Sequence, residues 1–114
     1  MRESKKMKIA MPYLNGMVDK YFGRNGEFII IEAENGTITG KKILAGETAP
    51  GDLVGIFQDE GVEVVIVNVI SRPLVELFFY NGIRIITRAS GDAEQVARDF
   101  LNGELRTGAS CRGG

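Results

Sequence analysis

Apolar residues fall in short blocks separated by glycine- and asparagine-bearing breaks, and the period inside the blocks changes along the chain. Lys8–Met11 alternates weakly and predicts a short strand closed by Pro12, which has no N–H to give to a ladder. Residues 12–26 show no period, and Asn15-Gly16 and Asn25-Gly26 mark turns there. Glu27–Glu34 carries Phe28, Ile29, Ile30 and Ile31, aromatic and β-branched enough for a buried strand. Asn35-Gly36 then predicts a two-residue type I′ hairpin, because both residues tolerate the positive φ that such a turn requires. Thr37–Leu44 follows as the antiparallel partner, weakened at Gly40.

Beyond the loop at Gly46–Gly51 the pattern alternates between helix and strand. Pro50 suits a first helical turn, Leu53, Ile56 and Phe57 form one helical stripe, and Gly61 ends it. Val62–Val67 is apolar apart from Glu63, as expected of a parallel strand covered on both faces. Ser71 and Pro73 predict a capped helix start, with Leu74, Val75, Leu77 and Phe78 as its packing face and Gly82 as its stop. Ile83–Thr87 is another apolar strand. Asp92 with Gln95 forms a capping-box pattern before Val96, Ala97, Phe100 and Leu101, and Asn102-Gly103 closes that helix.

The predicted order is β-β-β-α-β-α-β-α. Right-handed crossovers place 62–67 and 83–87 parallel to the first strand. The expected fold is α/β: a five-stranded mixed sheet, its second strand antiparallel, covered by helices. Ligands of such sheets bind beyond the carboxyl ends of the parallel strands. The loops at 12–25, 68–73 and 88–92 should converge there.

At 114 residues the chain is expected to form one domain, with 1–6 a solvated extension and the polar, glycine-rich 106–114 a mobile tail. Fourteen basic and 15 acidic residues give a net charge of -1, which argues against nucleic acid or an anionic membrane as partner. No apolar run is long enough to span a bilayer, so a cytoplasmic protein is expected. One cysteine excludes an intrachain disulfide, and the absence of histidine excludes Ser/His or Cys/His catalysis. The acidic residues Asp52, Asp59, Glu60, Glu63 and Asp92 fall at helix ends and strand starts, where capping and solvation account for them. A binding protein is expected, not an enzyme.

Three places carry candidate chemistry. In Tyr21-Phe22-Gly23-Arg24, Arg24 could bind an anion through its planar fork beside the Tyr21 hydroxyl; alternatively, Phe22 plugs the sheet end while Arg24 pairs with a carboxylate. At Asn68–Pro73 the strand-to-helix turn offers Asn68, Ser71 and Arg72 around free backbone N–H groups, which suits an anion, or it is an ordinary capped helix start. Cys111, beside Arg112, is a soft-metal ligand candidate or an incidental thiol; one thiolate cannot saturate zinc or an iron–sulfur cluster.

Met7-Lys8-Ile9-Ala10-Met11-Pro12, Phe22-Gly23-Arg24 before Phe28, Gly61-Val62, Gly82-Ile83 and Gly103-Glu104-Leu105 occur in a joint order. That order resembles the dinitrogenase iron–molybdenum cofactor biosynthesis family, which includes NifX-type proteins and the C-terminal domain of NifB-type proteins. The resemblance covers roughly residues 7–105. It implies a ribonuclease-H-like three-layer fold and a carrier of an iron–sulfur or molybdenum–iron–sulfur cluster or its precursor. Tyr21 stands where the family usually carries histidine. On this basis Tyr21, Arg24, Asn68, Ser71 and Arg72 are the expected cofactor-binding residues and Cys111 the expected metal ligand. The alternative is an interaction module, either a homo-oligomer or a partner of another protein through the hairpin at 27–44, or a binder of a small anionic or phosphate ligand without metal.

Overall fold

The computed structural model describes residues 6–22, 26–44 and 50–105, with the side chains of residues 50 and 51 excluded. Its elements are β1 (Lys6–Leu14), β2 (Met17–Val18), β3 (Phe28–Glu34), β4 (Thr37–Leu44), α1 (Pro50–Glu60), β5 (Val64–Ile66), α2 (Arg72–Tyr80), β6 (Arg84–Ile86) and α3 (Ala93–Leu101). Of the expected extension at 1–6, residues 1–5 lie outside the described residues and Lys6 instead opens β1; the tail at 106–114, Arg24 and Cys111 also lie outside them.

The main sheet runs in the order β4-β3-β1-β5-β6, and β2 pairs only with β1. β3 is antiparallel to both β1 and β4, while β1, β5 and β6 are mutually parallel. The expected mixed α/β sheet is therefore present, with β2 as a short sixth strand among the described residues.

Period-two alternation sorts the sheet residues onto two faces. Ile9, Met11, Ile29, Ile31, Val64 and Ile66 pack with Val96 and Ala97 of α3. Ala10, Phe28, Ile30, Val65 and Val67 pack on the other face with Leu53 and Phe57 of α1 and Phe78 of α2. Such strands must be apolar at every position because helices cover both sides. The result is three layers, with α3 on one face and α1 and α2 on the other.

The second face contains a closed circuit of four rings. Phe22 lies 5.3 Å from Phe28 and 5.8 Å from Phe78, and Phe57 lies 5.5 Å from Phe28 and 5.9 Å from Phe78. Three of these pairs are tilted or edge-on and Phe57–Phe78 is stacked, and such pairs are each worth about 0.5–1.5 kcal/mol beyond their burial. Phe22 thus packs into the sheet end, while the Arg24 part of both readings of its loop lies outside the described residues.

Three local expectations are corrected. Pro12 does not end β1, which continues to Leu14. It pairs with Phe28 beyond the stretch where β1 meets β5, so its missing N–H interrupts nothing, and its carbonyl accepts from Asp19 N at 2.8 Å. Residues 12–26 are not all loop: Asn15 and Gly16, at φ 51° and 86°, turn β1 back into β2. The capping box is half formed, because Asp92 accepts from Gln95 N at 2.9 Å while the Gln95 side chain reaches forward to Asp99 Oδ1 at 2.9 Å.

The Asn35-Gly36 hairpin has its predicted positive φ values, 55° and 84°. Gly40 marks a bulge in β4: Glu32 pairs with Gly40 and Ala33 with Ile38, leaving Thr39 as the extra residue.

Candidate functional site

β1, β5 and β6 run parallel, so their carboxyl ends share one rim of the sheet, and backbone hydrogen bonds join the segments that leave them. Val69 N donates to Lys20 O at 2.9 Å and Phe22 N to Val69 O at 3.1 Å, which bridges Tyr21 to Val69. Arg88 N donates to Asn68 O at 3.1 Å and Ala89 N to Val67 O at 3.0 Å. The β1–β2 turn meets the start of α3 through Val18 N to Gly91 O, 2.9 Å, and Ala93 N to Gly16 O, 3.0 Å. The convergence expected of these three loops is present.

A groove of about 790 Å³ opens between two of them. Asn68, Val69 and Ile70 line it from the loop after β5, Arg72 and Val75 from α2, and Thr87, Arg88 and Ser90 from the loop after β6. Among the described residues, no aspartate or glutamate lines this groove. Arg72 and Arg88 are both exposed, and neither takes part in an ion pair with a described carboxylate. A second hollow of about 530 Å³ is lined by Leu14, Met17, Asp19, Lys20 and Tyr21 among others.

Asn68 and Arg72 therefore stand together in the groove. Ser71, exposed directly before Arg72, holds the N-cap position of α2 in extended conformation, but its side chain makes no capping hydrogen bond. Its carbonyl accepts from both Leu74 N and Val75 N at 3.1 Å. Tyr21 lines the second hollow, its backbone bridges to Val69 at the groove, and its ring lies 5.4 Å from Lys20 Nζ. The expected roles of Arg24 and Cys111 fall outside the described residues.

Sequence reasoning passed over Arg88, Thr87, Ser90 and Asp19. Arg88 has a left-handed backbone, φ 67°, which a residue without a glycine's freedom adopts only in a well-tied turn. The available signal was its position, directly after a predicted parallel strand at the ligand-binding rim. Asp19 is 6 % exposed and accepts from Tyr21 N at 3.3 Å, an aspartate folding back on an amide two residues on.

Among the described residues no group of three or more His, Cys, Asp or Glu side chains is placed to hold a metal ion. The described groove can supply two guanidinium forks, neutral amide and hydroxyl groups, and apolar contact from Val69, Ile70 and Val75. Such a set suits an anion held by charge and hydrogen bonds; it does not suit a bare metal ion. No helix of the described structure is long and apolar enough to cross a membrane.

A three-layer α/β domain with its groove at the carboxyl rim is the frame of a small ligand-binding protein. The chain belongs to the dinitrogenase iron-molybdenum cofactor family, whose model matches residues 5–103. It is 32% identical over 108 residues to the Methanocaldococcus jannaschii protein MJ0580, covering 89% of this chain and 91% of that one. The crystal structure of PH0822 superposes with a TM-score of 0.84 at 26% identity, covering 91% and 96% of the two chains. The apo form of the orange protein from Desulfovibrio gigas shares the fold, with a TM-score of 0.70 at 20% identity over 90% and 93% of the chains.

Proposed function

We propose that this protein binds an anionic metal–sulfur cluster, or a precursor of one, as cargo and catalyses no reaction on it. Membership of the iron-molybdenum cofactor family over residues 5–103 is the observation that carries this reading. The site is the carboxyl-end rim, with Asn68 and Arg72 at the groove, Ser71 and Tyr21 beside it, and Arg24 and Cys111 contributing a cation and a thiolate. Arg88 belongs with them because it lines the same groove as Asn68 and Arg72.

The described donors match capture of an anionic cluster that forms in solution from its components better than stepwise building on protein ligands, which would need several thiolates or imidazoles. Guanidinium and amide N–H groups would hold such a cargo by hydrogen bonds to its outer sulfur or oxygen atoms. Anaerobic reconstitution with iron, sulfide and molybdate, followed by desalting and metal analysis, tests the proposal. Stoichiometric retained metal is expected, and no retained metal with or without reductant would sink it.

A second reading, an interaction module, is favoured by one observation: Phe79 and Tyr80 at the end of α2 are 71% and 79% exposed, with ring centroids 5.7 Å apart. The edge strand β4 is a poorer candidate, since its bulge and the exposed Lys41 and Lys42 discourage strand addition. Light scattering of the protein and of Phe79→Ser/Tyr80→Ser separates the cases. A change in assembly with metal retention unaltered would support a docking role beside the cargo site.

A further inference from the structure

Arg72 opens α2 and Arg88 lies in the loop after β6, yet both line one groove, and Asn68, Thr87 and Ser90 are the other polar residues there. Surface arginines in a chain of net charge -1 usually have carboxylates nearby, and this chain has 15 acidic residues to supply them. The described salt bridges instead involve Lys41, Lys42 and Arg98. Two cations are thus placed at one cavity whose lining, among the described residues, contains no carboxylate. Their placement is also tied to the backbone: the Arg88 amide donates to Asn68 O at 3.1 Å, in the loop that leads into Arg72.

We propose that Arg72 and Arg88 form a binding site for a doubly charged tetrahedral oxyanion, carried free or as the terminal group of a monoester. The inference rests on the cargo reading for its choice of groove, but it requires neither iron nor sulfide. Each guanidinium can give two parallel N–H donors to such a group, and two forks match a charge of two better than a charge of one. Val69, Ile70 and Val75 give the same groove an apolar part, which an ester substituent could occupy.

Titration calorimetry of the metal-free full chain with molybdate, inorganic phosphate and phenyl phosphate, at constant chloride, tests this. Saturable binding of at least one dianion is expected, with nitrate binding at least about tenfold more weakly. Tighter molybdate assigns the site to free oxyanions, and tighter phenyl phosphate assigns it to monoesters. Arg72→Ala and Arg88→Gly should each weaken binding about tenfold or more, as for loss of a charge-assisted hydrogen bond. Arg88→Gly suits the left-handed backbone at that position, and thermal melts would confirm that both variants fold. Lys6→Ala removes the same charge at the start of β1, away from the groove, and should leave affinity unchanged.

No saturable dianion binding, nitrate binding as tightly, or an equal loss in Lys6→Ala would each overturn the proposal. Metal retained on reconstitution without dianion binding would overturn it while leaving the cargo reading intact. Dianion binding without metal retention would do the reverse.

Discussion

The two strand-to-helix turns at the carboxyl rim, β5 to α2 and β6 to α3, are built from different chemistry. α3 begins with a side-chain cap, Asp92 to Gln95 N at 2.9 Å, an acidic first-turn residue in Glu94, and a backbone bond from Ala93 N to Gly16 O. α2 begins at Ser71 with no side-chain cap, no acidic residue in its first turn, and Pro73 early in the helix. One helix start has a side-chain cap and an acidic residue against its dipole; the other has neither, and its Leu74 and Val75 amides turn back to the Ser71 carbonyl. The turn that stabilises itself least is the one whose loop carries Asn68, Ser71 and Arg72.

If α2 is not fixed at its start, something else must position it. Phe78, fully buried and in the four-ring circuit, is the residue that anchors α2 from the other end. Phe78→Ala should cost about 3–5 kcal/mol, the range for emptying a buried phenylalanine site. Urea denaturation would read that loss, and hydrogen exchange at Leu74 and Val75 should accelerate more than exchange across α3. A loss below about 1 kcal/mol, far under that range, would show that α2 has another anchor and that the contrast between the two helices is misplaced.

Asp92→Ala should come next, with a loss of about 1 kcal/mol from the missing cap. Fraying should be confined to the first turn of α3, where Gln95 N loses its acceptor. Because Ala93 N still has Gly16 O, the β1–β2 turn should stay docked. Exchange that also rises at Val18, whose N donates to Gly91 O, would mean that the cap holds the hairpin as well as the helix.

Much of this architecture was legible in the residues. Val64–Val67 and Phe28–Ile31 are apolar on both faces, and that pattern has few solutions other than a strand between two helical layers. The Asn35-Gly36 turn was equally plain, since its side chains tolerate the required φ. β2 escaped because two residues carry no period, although Asn15-Gly16 has the same turn chemistry. Pro12 misled because a proline is excluded from a ladder only where its N–H is needed, and pairing partners cannot be read from the chain. The groove was half legible. Asn68 and Arg72 follow a recognisable strand end, but Arg88 joins them only through the parallel pairing of β5 with β6, and an arginine in a loop has no periodic signature of its own.

The smallest expected effect falls on Ser71, and it is the sharpest test of the contrast. A serine at an N-cap ordinarily contributes about 1 kcal/mol through its hydroxyl. Here that hydroxyl makes no cap bond, and the carbonyl that accepts from Leu74 N and Val75 N survives in any substitution other than one that moves the backbone. Ser71→Ala should therefore change stability by less than about 0.5 kcal/mol, as for an exposed residue with no structural task. The same change should weaken an anion that uses the hydroxyl as a donor, so affinity and stability should separate at Ser71 where they move together at Asp92. Matched losses of stability in Ser71→Ala and Asp92→Ala would mean that both helices are capped in solution, and the open start of α2 would no longer distinguish the groove.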